Sequence, residues 1–138
     1  MRAPALVLCL ALGAAACVSR LPDQDLRILT AQPAAKLSAS DLWKDFQTDA
    51  DGAASRYFGK AIDVSDRPTA IEPAPPAGPR MLFVQAGDRG VVARLLDEKA
   101  AETVKDTKAG DRLTLRCFCE GLDANKDVLL KSCIKPVQ

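Results

Sequence analysis

The chain changes hydrophobic period several times, and each change marks an element. From Ser38 to Tyr57, Leu42, Phe46, Ala50, Ala53, Ala54 and Tyr57 recur at helical spacing, while Lys44, Asp45, Gln47 and Asp51 fall elsewhere. Ser38 and Ser40 both suit an N-cap, and Ser38-Ala39-Ser40-Asp41 is close to a capping box. The pattern predicts an amphipathic helix on a core, with Gly52 costing about 1 kcal/mol relative to Ala in return for close packing. From Ala61 the period becomes two. Ala61-Ile62-Asp63-Val64 is strand-like, Ser65-Asp66-Arg67-Pro68 interrupts it, and Thr69-Ala70-Ile71 resumes. This predicts one long strand with a bulge or bend at Pro68, which has no N–H for a ladder.

Residues 73–79 are proline-rich and read as an exposed, stiff loop. Met81 to Ala86 and Gly90 to Leu96 are β-rich, and Gly87-Asp88-Arg89-Gly90 between them signals a hairpin turn. Asp97 is placed to cap a second helix that runs through Thr107, with Ala100, Ala101 and Val104 inward and Gly110 as its stop. Arg112 to Glu120 alternates, with Leu113, Leu115, Cys117 and Cys119 on one face and Thr114, Arg116 and Phe118 on the other. A turn-rich stretch leads to a last strand, Asp127 to Lys135. Five strands with a helix between the third and fourth, preceded by an N-terminal helix, is the order of an OB-fold barrel, mainly β with α. A closed barrel also protects sheet edges. An open α+β sandwich uses the same elements.

The N-terminus reads as an address. Ala3 to Ala16 is an apolar run behind Arg2, shorter than the about 20 residues of a membrane-spanning helix and suited to a secretory signal. It ends in Gly13-Ala14-Ala15-Ala16-Cys17, which resembles a bacterial lipobox, where the signal is cut and Cys17 takes a lipid. Ala14 stands where Leu is usual, and a plain secretory signal cut after Ala16 is the alternative. Val18, rather than Asp, after the cysteine resembles cargo sent to the outer membrane. Val18 to Leu37 has only Leu26, Ile28 and Leu29 as an apolar cluster and reads as a flexible spacer, or alternatively as a short strand on the domain edge. The expected organisation is a signal over 1–16, a lipid-anchored tether over 17–37 and an OB domain over 38–138.

Composition removes several chemistries. The chain has no histidine, so it has no Ser-His-Asp triad, Cys-His dyad or His-ligated zinc. With 19 Lys+Arg against 18 Asp+Glu, it lacks the broad positive field that gathers nucleic acid. Acidic residues are plentiful, but none pair in a recognisable catalytic motif, so the chain is expected to be no enzyme and to need no cofactor. Once Cys9 leaves with the signal and Cys17 takes lipid, Cys117, Cys119 and Cys133 remain, and an oxidising compartment favours one disulfide among them. A three-residue turn at Ala124-Asn125-Lys126 sets Cys117 opposite Cys133. The hydrophobic pattern prefers Val128, Leu130 and Ile134 on the cysteine face, and a bulge near Lys131 or Ser132 satisfies both demands. Three thiolates lack a fourth zinc ligand, and Cys117-Phe118-Cys119 lacks the spacing of a redox Cys-x-x-Cys. No metal is expected.

From Leu42 onward the chain resembles the tRNA_anti-like family of bacterial OB-fold lipoproteins. The likeness rests on residues 51–60, Ile62-Asp63-Val64-Ser65, Gly90-Val91-Val92-Ala93, Ala109 to Thr114, and Cys119-Glu120-Gly121 with Val128 to Cys133. Asp66 departs from it, where a Gly is more usual, as does the proline-rich loop. The resemblance implies an exported OB domain without a defined activity, and it favours Cys119 as the partner of Cys133, with Cys117 as the alternative. OB domains bind on the face of strands 2 and 3. If Leu82 and Val84 point inward, Phe83 and Arg94 stand on that face as candidate ligand-binding residues. The expected function is a non-catalytic envelope module that binds a partner protein or small envelope ligand, with single-stranded nucleic acid or another anion as the alternative.

Overall fold

The computed structural model describes residues 24–72 and 78–137. Along the chain run a 3₁₀ turn (Leu26–Leu29), β1 (Ala35–Leu37), α1 (Ala39–Thr48), α2 (Ala50–Tyr57), β2 (Ala61–Asp66), β3 (Ala70–Glu72), β4 (Arg80–Ala86), β5 (Arg89–Leu95), α3 (Asp97–Val104), β6 (Leu113–Leu122) and β7 (Val128–Ile134). The strands form one sheet in the order β1-β2-β6-β7-β5-β4-β3. β1 runs parallel to β2 and β5 parallel to β7, and the other pairs are antiparallel.

The expected count of five strands needs correcting, because the sheet has seven and no ladder joins its two ends among the described residues. Two causes account for the difference. The interruption at Pro68 divides the long first strand into β2 and β3, which lie far apart in the sheet order. The N-terminal segment then adds β1, with Ala35, Lys36 and Leu37 opposite Ile62, Asp63 and Val64.

That segment is the second correction. From Gln24 on, the expected spacer is part of the fold, so the edge-strand alternative holds for Ala35–Leu37. Ile28 is fully buried and packs with Ala61, Leu96 and Ile134 in a small cluster separate from the main core. Gln24 accepts from the Asp97 amide at 2.5 Å and donates to the Leu95 carbonyl at 3.4 Å. The first turn of α3 has no side-chain cap from its own N-cap residue, so Gln24 satisfies one of its orphan amides. α3 ends at Val104, three residues before the expected Thr107.

The expected single helix is two helices. Asp49 leaves helical geometry at φ −153° and ψ 87°, ends α1 and caps α2 by accepting from the Gly52 amide at 3.1 Å. A Cβ on Gly52 would collide with the Asp49 carboxylate, so this glycine serves the cap. Ser38 caps α1, accepting from the Asp41 amide at 2.9 Å. α1 packs against β2, β4, β5 and β7 and buries Ala39, Leu42, Trp43 and Phe46, while Ala50 is exposed. The main core beneath it holds Ile62, Val64, Met81, Phe83, Val91, Leu95, Leu115 and Leu130. The signal peptide, Cys17 and residues 73–77 of the proline-rich loop lie outside the described residues.

Candidate functional site

β4 decides which side chains reach the binding face. Met81 and Phe83 are buried, whereas Leu82 is half-buried and Val84 is 40% exposed. Phe83, 2% exposed, sits in the core opposite Val91, so its expected place on the outer face is incorrect. The physical reason is parity. Arg80 shares a strand face with Leu82 and Val84, and an arginine at the strand start holds that face toward water. Arg80 was therefore the signal that Phe83 turns inward. Arg94 does lie on the outer face, half-buried and directly opposite Arg80.

The outer face is built in rows. One row runs Ala70, Leu82, Val92 and Leu129 across β3, β4, β5 and β7, all half-buried and each opposite the next. A second row is Glu72, Arg80 and Arg94. Arg80 donates to Glu72 at 2.5 Å, offsetting the repulsion between two arginines set side by side. On the other side Val84 faces Gly90. A Cβ at Gly90 would run into the Phe83 carbonyl and the Val84 and Gln85 backbone, so only glycine admits the bulge between Val84 and Ala86. Leu82, Val84, Val92, Asp88 and Asp127 line a shallow groove there. Asp127 accepts from the Gly90 amide at 2.9 Å, and Asp123 accepts from the Asn125 and Asp127 amides, which fixes the β6–β7 turn beside the groove. The sequence reading missed Leu82, Val84, Val92 and Leu129 as a connected surface.

The other half of the outer surface carries charge and a cover. Asp63 and Arg116 form a two-pronged ion pair at 2.7 and 3.0 Å, and Arg116 also donates to the Ala31 carbonyl at 3.2 Å. The hydrogen bonds that Arg116 donates to Asp63 hold its guanidinium above its ordinary pKa. Asp25 accepts from Arg27 and, through its amide, donates to the Ser132 hydroxyl at 2.8 Å. Those Arg27 hydrogen bonds hold the Asp25 carboxyl below its usual value against the opposing effect of burial. Arg27 also sits 5.6 Å from the centre of the Phe118 ring.

The cysteines sit on the inner face of β6 and β7. Cys117 is bonded to Cys133 across 4.3 Å between Cα atoms, and Cys119 is a buried free thiol. This corrects the pairing favoured by the resemblance. Arg116 faces Ile134 and Phe118 faces Lys131, so two steps on β6 oppose three on β7. Ser132, at φ 56°, takes up the extra residue. The bulge expected near Lys131 or Ser132 is there, and it turns Cys133 inward after Leu130 and Val128. Ile134 is thereby sent to the outer cluster instead of the cysteine face. Cys119 stands opposite Leu130, beyond the bulge from Cys133. Burial pushes its thiol up to about 11, so it stays protonated and unreactive near neutral pH. Among the described residues, no group of three or more His, Cys, Asp or Glu is placed to hold a metal ion.

The family model for tRNA_anti-like proteins matches residues 5–134. The chain belongs to the tRNA_anti-like family. No curated protein sequence matches this tRNA_anti-like chain. Its fold is similar to the crystal structure of a protein from Klebsiella pneumoniae subsp. pneumoniae MGH 78578, named a "putative nucleic acid-binding lipoprotein". The TM-score is 0.56 at 18% identity, over 83% of this chain and 98% of that one. At that identity the likeness is one of fold, the OB-like arrangement of the tRNA_anti-like family.

Proposed function

We propose that this tRNA_anti-like chain is a non-catalytic envelope lipoprotein, held by lipid on Cys17 and facing the periplasm from the outer membrane. Its OB domain binds a partner protein through the outer face of β3, β4, β5 and β7. The observation that supports this is the Ala70–Leu82–Val92–Leu129 row, an apolar stripe across four strands with Val84 beside it. A sheet face meant only for water would alternate to polar residues there. A stripe rimmed by an ion pair and a second arginine is the composition of a protein interface, apolar at the centre and charged at the edge. The barrel reading enters here as well. β2 and β3, separated by three residues and lying near opposite ends of the sheet order, serve as two halves of one bent strand. With them counted once and β1 set aside as an added edge strand, five strands remain, which supports the OB reading with β4 and β5 as the usual ligand strands.

A photoreactive amino acid at Leu82 or Val84, in intact cells, should capture a discrete protein, and the same probe at Arg56 on α2 should not. Equal capture at both positions, or none at Leu82 and Val84, rejects the face. Intact mass of the mature chain should show Cys17 as the N-terminus carrying acyl groups. A free N-terminal residue without lipid rejects the anchor.

The second reading is single-stranded nucleic acid, supported by the name of the similar Klebsiella protein and by Arg80 beside Arg94. Stacking platforms use exposed aromatics. Phe83, Trp43 and Phe46 are buried, and the exposed Phe58 follows α2 and is not on the strands that carry Arg80 and Arg94, which favours the protein partner. Binding of labelled single-stranded DNA that weakens steeply with salt and is lost in Arg80→Ala plus Arg94→Ala would reverse that preference.

A further inference from the structure

Among the described residues five large hydrophobics are exposed, and apart from Phe58 after α2 and Val84 on β4 they lie near the two ends of the described chain. Leu26 is 53% exposed and Leu29 40%. They stand three residues apart on a 3₁₀ turn, whose period of three puts them on one side, while Ile28 between them plugs the body of the domain. Val137, 97% exposed, lies with Leu29 and Ile134 along one cleft of about 530 Å³ whose remaining wall is Lys99, Glu102, Thr103 and Lys135. The cleft is thus bounded by the N-terminal turn, by α3 and by the last residues of the chain.

Gln24, bonded to Leu95 and Asp97 at the start of α3, fixes where the chain enters the domain beside this cleft. Only six residues lie between Cys17 and Gln24, seven Cα-to-Cα steps with a reach of at most about 25 Å even when fully extended. Whatever holds Cys17 therefore keeps this side of the domain close by. We infer that the Leu26–Leu29–Val137 patch is a membrane-docking surface, resting in the headgroup layer of the bilayer that holds the Cys17 lipid. The inference rests on the lipoprotein reading above.

The chemistry identifies the occupant as a phospholipid surface. Interfacial binding grows with buried apolar area and with attraction to anionic lipid. Here the apolar part dominates. Arg27, Lys99 and Lys135 outnumber Asp25 and Glu102 by a single charge, and two of these cations are already held in the Arg27–Asp25 and Lys99–Glu102 pairs. The anchor makes this modest affinity sufficient, since docking becomes an intramolecular event at high effective concentration. None of the patch residues lies on β3, β4 or β5, so docking does not occupy that face.

The test attaches the mature chain artificially, so that it does not depend on native acylation. The unacylated chain from residue 17 is coupled through the Cys17 thiol to a maleimide lipid in phosphatidylethanolamine–phosphatidylglycerol vesicles. Cys119 is buried and Cys117 and Cys133 are bonded, so Cys17 is the reactive thiol. Amide exchange is then compared between the vesicle-tethered chain and the same chain carrying a soluble maleimide. Tethering should slow exchange at least threefold in peptides covering residues 24–31 and 134–137, and leave residues 80–95 unchanged. Leu26→Asp with Leu29→Asp and Val137→Asp should abolish that protection while preserving the melting curve. About tenfold more salt should change it less than twofold, because screening acts only on the small charge component. Equal exchange in both states overturns the inference, as does protection that survives the triple variant. Protection that appears at high protein concentration without vesicles also overturns it and assigns the patch to a second copy. Failure of the lipoprotein reading itself shows separately, in the mass of native Cys17.

Discussion

The two halves of the outer sheet surface are treated in opposite ways. Over β2, β6 and β7 the chain spends its N-terminal segment as a cover. Ile28 closes a small apolar cluster, Arg116 is gripped by Asp63 and the Ala31 carbonyl, and Asp25 reaches Ser132. Over β3, β4 and β5 comparable apolar residues, Leu82, Val84 and Val92, are left without any such cover among the described residues. A chain that covers one apolar surface and leaves its neighbour open marks the open one as available to something else. The covered half should therefore carry stability, and the open half should carry binding.

The hardest test of that division is Asp63→Ala. It leaves the Arg116 guanidinium mostly buried without its carboxylate and should cost about 3 kcal/mol in urea unfolding. A loss below about 1 kcal/mol, typical of exposed pairs, would mean that the cover confers nothing. Ile28→Ala comes next, at about 2–4 kcal/mol for an emptied buried site. A flexible spacer would give no change. Cys133→Ala removes the disulfide and should cost about 3 kcal/mol in the chain-entropy model. Cys119→Ala should leave that bond intact and cost roughly 1 kcal/mol, which separates the two cysteines by calorimetry and peptide mapping. On the open half, Val84→Asp should move stability by no more than about 0.5 kcal/mol yet remove partner capture. A large stability loss there would make the face structural and erase the contrast.

The smallest effect is on pH. The Asp25 carboxyl in the folded chain lies below its ordinary 3.8, so its contribution is fully present above that value and disappears as pH falls through the lower folded value. Protection against amide exchange over residues 24–29, taken relative to the intrinsic rate at each pH, should fall in that acid window before the strands open. Simultaneous opening would show that the cover has no separate stability.

Much of this architecture was legible because local signals agreed. The strict alternation of Leu113, Leu115, Cys117 and Cys119 predicted the inner face of β6, and Gly87-Asp88-Arg89-Gly90 predicted the β4–β5 hairpin, in which Arg89 and Gly90 already belong to β5. The errors arose where two signals competed. Met81, Leu82, Phe83 and Val84 are all apolar, so period alone does not choose a face, and only Arg80 breaks the tie. Asp49 looked like one more polar helix residue, because its cap on the Gly52 amide depends on a backbone turn that periodicity does not register. The 24–37 segment lacks any period, since its burial rests on single residues, Ile28 and Gln24, reaching distant parts of the chain. Cysteine pairing hinged on one extra residue at Ser132, which inverts every later side chain on its strand. The row of half-buried residues that forms the candidate site was invisible for a related reason. Its members come from four strands and meet only after the sheet is assembled.

Among the described residues Cys119 is the one free thiol, and it also offers a practical gauge. Sealed in the interior while its two neighbours are joined, it is silent to alkylating dyes as long as the strands around it hold together. Its labelling rate would count each opening of the interior and so time the molecule's breathing from within, with no added reporter.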